Sequence, residues 1–346
     1  MEPSLQGHTL RQIIRGLALA LAIVAMWPGF LARTASAQDG KRPIIVGVPF
    51  QIIDVAPVLI GVKKGFYKET GITMEVRDIR TGTKVMEAGL AGEVNVGITN
   101  VVSFMNAVAR DTRQVAIMQM AYVDKANRSH GFMIRKALWD SGQVRKISDL
   151  KGKKLAIQAW GSVAVPATDA VLKLGGLTQK DVELVELAYP AQGPAIAAGR
   201  IDGAIIPDPL LTINVDKGYA VKLEDSRLGG QLDPLIVLAQ EWYGSDMFPI
   251  AVTWANEDLV KSNPEGVRKF IAATQKANEW IRANREEAAA IVAEATKLPP
   301  EMVKRVGWSG FDVKLYPREM QIIADKMFET KMLDKKIDVS KAIFRP

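Results

Sequence analysis

Strand-like and helix-like segments alternate twice along this chain, and nothing else in the sequence narrows its fold as much. Ile44-Ile45-Val46-Gly47-Val48 is a short buried-strand run ended by Pro49. The apolar spacing from Asp54 to Lys64 suits a helix closed by Gly65, with Asp54 standing where an N-cap belongs. Ile72 to Val76 alternates as a strand. The loop Arg80-Thr81-Gly82-Thr83 then leads into a helix through Met86 and Leu90, and strands follow at Val94 to Ile98 and Val115 to Met120. The pattern restarts at Phe132-Met133-Ile134. It continues with strands at Lys154 to Gln158, Glu183 to Leu187, Gly203 to Ile206 and Ile250 to Trp254. Such βαβα order predicts an α/β protein with two lobes, each a mostly parallel sheet flanked by helices. Asn263-Pro264-Glu265 reads as a cap with proline at the first helical position, opening a helical tail.

The first forty residues are different in kind. Arg11 and Arg15 precede an apolar run from Leu17 to Trp27, and Ala35-Ser36-Ala37 is a small-x-small site ahead of Gln38-Asp39-Gly40. These are the parts of a cleaved secretory signal, expected to span residues 1–37. The run is about half of the ~20 residues a membrane-spanning helix needs. The chain has no cysteine, so it offers no attachment point for a lipid, and a protein free in the periplasm is expected. A net charge of +7 is spread along the chain without a basic block, which predicts no nucleic-acid partner. Of the two histidines only His130 lies beyond the signal, so His/Cys metal clusters and histidine triads are almost excluded; no metal and no cofactor are expected.

One segment repeats between the blocks. Leu90-Ala91-Gly92-Glu93-Val94-Asn95-Val96-Gly97 parallels Ile196-Ala197-Ala198-Gly199-Arg200-Ile201-Asp202-Gly203. Together with Lys63-Lys64-Gly65-Phe66-Tyr67, Ser148-Asp149-Leu150-Lys151-Gly152, the Gly161-Ser162 loop, Asp208-Pro209 and Asn263-Pro264-Glu265, it resembles the periplasmic binding proteins for nitrate, sulfonates and taurine. The resemblance implies a type II-like periplasmic binding protein with two crossovers, near 129–131 and 255–258. Lobe one would hold residues 42–130 plus 257–346 and lobe two residues 131–256. It also implies a monomer that hands its ligand to an ABC permease in the inner membrane. The same fold family includes synthases of the thiamin pyrimidine precursor. Those carry a cysteine-rich metal motif and a histidine that is consumed, and the missing cysteines argue against an enzyme here. A module feeding a sensor is a third reading.

In open parallel sheets ligands bind beyond the carboxyl ends of the strands. That rule selects Phe50, Gln51, Thr81, Gly82, Thr99, Asn100 and Tyr122 from the first lobe, and Trp160, Gly161, Ser162 and Asp208 from the second. The helix starting near Ser162 offers N–H groups to a carboxylate or sulfonate, while Trp160, Phe50 and Tyr122 offer aromatic surface. Arg80 is the one cation in a candidate loop. The expected ligand is a small organic anion.

Overall fold

A computed structural model describes residues 43–49, 53–225 and 230–345. Five strands of the first lobe form one sheet: β1 (Ile44–Pro49), β2 (Met74–Ile79), β3 (Val96–Asn100), β4 (Gln114–Val123) and the late-coming β12 (Phe248–Asn256), in the order β2-β1-β3-β12-β4. The second lobe has β5 (His130–Arg135), β6 (Lys154–Ile157), β7 (Glu183–Glu186), β8 (Gly203–Pro207) and β9 (Ala220–Lys222), in the order β7-β6-β8-β5-β9. A two-residue pair, β10 (Glu224–Asp225) with β11 (Gly230–Gln231), stands apart.

The two sheets share one plan, in which β1, β2 and β3 correspond to β6, β7 and β8. Where the chain stays within a lobe it builds parallel βαβ units, β1 with β2 and β3, and β6 with β7 and β8. Where it changes lobe, the incoming strand enters from the opposite direction and pairs antiparallel: β12 with β3 and β4, β5 with β8 and β9. Four of the five strands in each sheet run the same way, as the alternation predicts, and the crossover strand, β12 or β5, runs against them and makes each sheet mixed. The expected boundary at residue 256 is also displaced. Because β12 belongs to the first sheet, the second crossover precedes it, at residues 244–247, and the first occupies residues 124–129.

The helices that concern the site are α1 (Ala56–Lys63), α2 (Gly82–Leu90), α3 (Val101–Ala109), α4 (Ala164–Leu174), α5 (Tyr189–Ala197), α6 (Leu210–Asp216) and α7 (Pro234–Tyr243). The tail adds α8 (Pro264–Ala283), α9 (Arg285–Thr296), α10 (Pro300–Arg305) and α11 (Pro317–Glu329). Asn263 caps α8 through its side-chain oxygen, which accepts from the Gly266 N–H, as the Asn-Pro-Glu signal predicts. Among the described residues no helix is long and apolar enough to cross a membrane.

Burial explains the repeated segment. Asn95 and Asp202 precede the central strands, and each side-chain oxygen accepts an N–H near the start of the neighbouring strand, from Ile45 and Lys154 respectively. Gly97 and Gly89 make a slot for the fully buried indole of Trp254 on β12. A Cβ on either glycine would meet that ring at 2.2 and 2.1 Å. The repeat thus anchors the N-terminal edge of each sheet.

Candidate functional site

The two sheets face each other across a narrow cavity of about 40 Å3. Its walls come from the turn after β1 (Pro49, Asp54, Val55), the end of β3 (Thr99, Asn100), Gly82, Gln158 and Val163 after β6, and Tyr189 after β7. His130 and Ile250-Ala251 complete it, near the beginnings of the two antiparallel crossover strands. Five helices start here. Val55, Asn100 and Val163 are the N-caps of α1, α3 and α4, while Gly82 and Tyr189 are the first residues of α2 and α5. Each brings the positive end of its dipole to the cavity. Among the described residues no lysine or arginine is part of the lining.

Local sequence builds these starts. Thr81 caps α2, its hydroxyl accepting from the Lys84 N–H at 3.2 Å. Gly82 lets that helix end approach Thr99, whose Oγ1 would lie 2.7 Å from a Cβ at position 82. The Thr99 hydroxyl is buried and has no partner within the protein. Asn100 caps α3 by accepting from the Ser103 N–H at 2.9 Å, and the same oxygen accepts from the Val163 N–H across the lobes at 3.3 Å. Burial, reinforced by the nearby Asp54 carboxylate, raises the Tyr189 phenol above its ordinary pKa, so it is a neutral hydrogen-bonding group.

Asp54 is not the helix cap its position suggested. It lies in a 3-10 turn at Ile53–Val55, and Val55 takes the cap position of α1. One carboxylate oxygen is bonded by the Ser309 hydroxyl, and the other lies 3.8 Å from His130 Nε2. Ser129 Oγ in turn lies 2.9 Å from His130 Nδ1 and 2.6 Å from Ser309 Oγ. Serine, histidine and aspartate are therefore in register, but Ser129 is fully buried, and a nucleophile has to reach its substrate. Asp233, the N-cap of α7, lies beside this group. Burial pushes its carboxyl up to about 6, with the His130 charge and the Leu235 N–H pulling it back down.

Residues 52–288 match the family described as NMT1/THI5 like. The chain belongs to that family. A Bacillus subtilis protein assigned to the binding of aliphatic sulfonates is 24% identical, over 95% of this chain and 94% of that one. The yeast 4-amino-5-hydroxymethyl-2-methylpyrimidine phosphate synthase THI5 is 23% identical, over 66% of this chain and 63% of the enzyme. Among solved structures, the alkanesulfonate-binding protein SsuA from Xanthomonas axonopodis pv. citri bound to MOPS superposes with a TM-score of 0.71 at 18% identity, covering 88% of this chain and 98% of that one. The fold of this NMT1/THI5-like chain is therefore the two-lobed one of the periplasmic binding proteins.

Of the residues the sequence put forward, Gly82, Thr99 and Asn100 come together in the cavity, with Thr81 capping the helix behind them. Ser162 is buried just ahead of the α4 cap: its hydroxyl donates to the Ala159 carbonyl and accepts from the Ala164 N–H. Gly161 is at the seam between the lobes, its carbonyl accepting from Asn106 Nδ2 at 2.9 Å and Ser103 Oγ at 3.3 Å. Trp160 is 53% exposed and lines an outer groove instead of the inner cavity. Asp208 is buried, bonded by Thr212 and by the Gly307 N–H. Tyr122 pairs with Gly310, its ring lying over that glycine on the far side of β4, and Arg80 is exposed outside the cavity. Phe50 and Gln51 lie outside the described residues.

His130, Gln158 and Tyr189 are the cavity residues that sequence reasoning passed over. Gln158 and Tyr189 follow strands and obey the rule that selected the others. His130 does not, because β5 runs antiparallel and presents its beginning to the cleft.

Proposed function

We propose that this protein is a periplasmic solute-binding protein that takes a small organic anion, a sulfonate or carboxylate, between its lobes and delivers it to an ABC importer. The observation that carries the reading is the convergence of five helix N-termini and the unpartnered Thr99 hydroxyl on a cavity with no lysine or arginine among its described lining residues. Such a site neutralises a carboxylate or sulfonate through N–H groups and dipoles. The carboxylate oxygens of Asp54 are directed to Ser309 and His130, so the nearest negative charge has partners of its own. At about 40 Å3 the cavity is far below the ~300–1,000 Å3 of small-molecule sites, so entry requires the lobes to part. Closure then follows from the ligand's preference for the form in which both lobes touch it. The product is a monomer whose closed face is presented to a permease in the inner membrane, after export and removal of residues 1–37.

The test is calorimetric titration with propanesulfonate, propanoate and the uncharged 1-propanol, paired with small-angle scattering. Binding of an anion but not of the alcohol, with a smaller radius of gyration in the complex, is expected. Equal binding of the alcohol, or no compaction, would remove the reading. His130 in the cavity is the observation that favours a second reading, a histidine-consuming synthase of the kind the fold family includes. The mass of the His130 peptide separates the two, because a binding protein returns it unchanged.

A further inference from the structure

A second cavity, about 270 Å3, lies on the outer side of the seam between the lobes. Met86 and Leu90 of α2, Ala107 at the end of α3 and Trp160 of the second lobe give it an apolar wall, and Arg110 and Glu87 are its charged lining residues. Trp160 and Leu90 are 53% and 57% exposed, and Val62 is the remaining large apolar side chain exposed among the described residues. Exposed apolar surface is thus gathered at this groove, which is the pattern of a binding surface.

The inner and outer cavities are lined by near neighbours in the chain: Gly82 and Thr83, Asn100 and Ser103, Val163 and Gly161. What separates them is a set of hydrogen bonds across the lobes. The Val163 N–H donates to Asn100 Oδ1, and Ser103 Oγ and Asn106 Nδ2 donate to the Gly161 carbonyl. A partition made of contacts between lobes opens whenever the lobes part. The inner cavity holds only a compact head, so any longer ligand must leave it, and the seam leads directly to the apolar groove.

The geometry points to an elongated ligand: an organic anion whose head sits at the helix N-termini and whose alkyl or aryl tail crosses the Asn100–Gly161 seam to lie on Trp160, Met86 and Leu90. This rests on the anion reading given above. It assigns Trp160 to the tail, and added carbon stops helping once the tail meets the charged side chains of Arg110 and Glu87.

The experiment is a calorimetric series of straight-chain alkanesulfonates, from methane- to octanesulfonate, and of the matching alkanoates, on the wild-type protein, Trp160→Ala and Trp160→Phe. Each methylene that enters the groove is expected to tighten binding about fourfold, until the series levels where the tail meets Arg110 and Glu87. The ratio of Kd between the shortest and longest members should collapse at least tenfold in Trp160→Ala and recover in Trp160→Phe. A flat wild-type series, or a ratio unchanged by Trp160→Ala, overturns the tail site while leaving an anion receptor. Failure of every sulfonate and of the matching straight-chain alkanoates to bind overturns the anion reading and this inference with it.

Discussion

Asp233 is a buried carboxylate whose surroundings oppose its charge. One oxygen caps α7 by accepting from the Leu235 N–H, and the other has no partner. Its pKa, raised from 3.8 to about 6, means that the folded protein holds this proton more tightly than the unfolded chain. The stability it contributes is present in full below the unfolded pKa and is lost as pH rises through about 6, an effect of about 3 kcal/mol. Asp233→Asn keeps a cap acceptor and removes the charge. Urea midpoints measured at pH 4 and pH 7.5 should therefore show the variant gaining on wild type at the higher pH. Parallel pH profiles would mean that the carboxyl is not held protonated. Residue chemistry of this sort is hard to read in a sequence: Asp233-Pro234 announces a helix start, but the burial that shifts the acid comes from segments distant in the chain. Asp54 teaches the same lesson, since its capping position was plain and its partners, His130 and Ser309, come from other elements.

At the scale of elements, the alternation of strands and helices was legible because each lobe's parallel units carry apolar runs closed by glycine and proline. Direction was not legible. Ile250 to Trp254 has the composition of any buried strand, and nothing local says that it returns to the first sheet antiparallel to β3 and β4. That omission hid part of the site, because antiparallel strands bring their beginnings to the cleft. The repeated Ala-Gly segments were visible in the sequence, and in the fold they anchor the sheet edge opposite the candidate cavity. Gly97 tests this. Its missing side chain admits Trp254, so Gly97→Ala must displace the indole or the strand pairing. Overpacking of this kind costs about 1–3 kcal/mol, and a lower urea midpoint with ligand affinity within twofold of wild type is expected. Lost affinity at unchanged stability would tie β3 to the ligand through its buried edge instead.

At the scale of the whole molecule, the two lobes are joined by more than the two crossovers that the family resemblance implied. A third connection comes from the tail. Arg305 of α10 pairs with Asp216 of α6, the Gly307 N–H donates to Asp208, Ser309 reaches Asp54 and Ser129, and Gly310 pairs with Tyr122 on β4. Within six residues the chain passes from the second lobe to the first, and Asp208 is the clasp in the middle. Its two oxygens take three donors, the Thr212 N–H and hydroxyl on one and the Gly307 N–H on the other. Asp208→Asn places an amide N–H against one of those donors, in a site with no access to water. The strap should loosen at a cost of about 1–3 kcal/mol, the usual penalty for a buried donor left unpaired. Hydrogen exchange would find residues 305–310 deprotected, and scattering would find a broader range of lobe separations before ligand is added. If the strap only decorates the hinge, exchange at Gly307 rises while the scattering of the free protein stays as it was; if it sets the hinge, both change together, and ligand must then supply the closure that the clasp no longer supports.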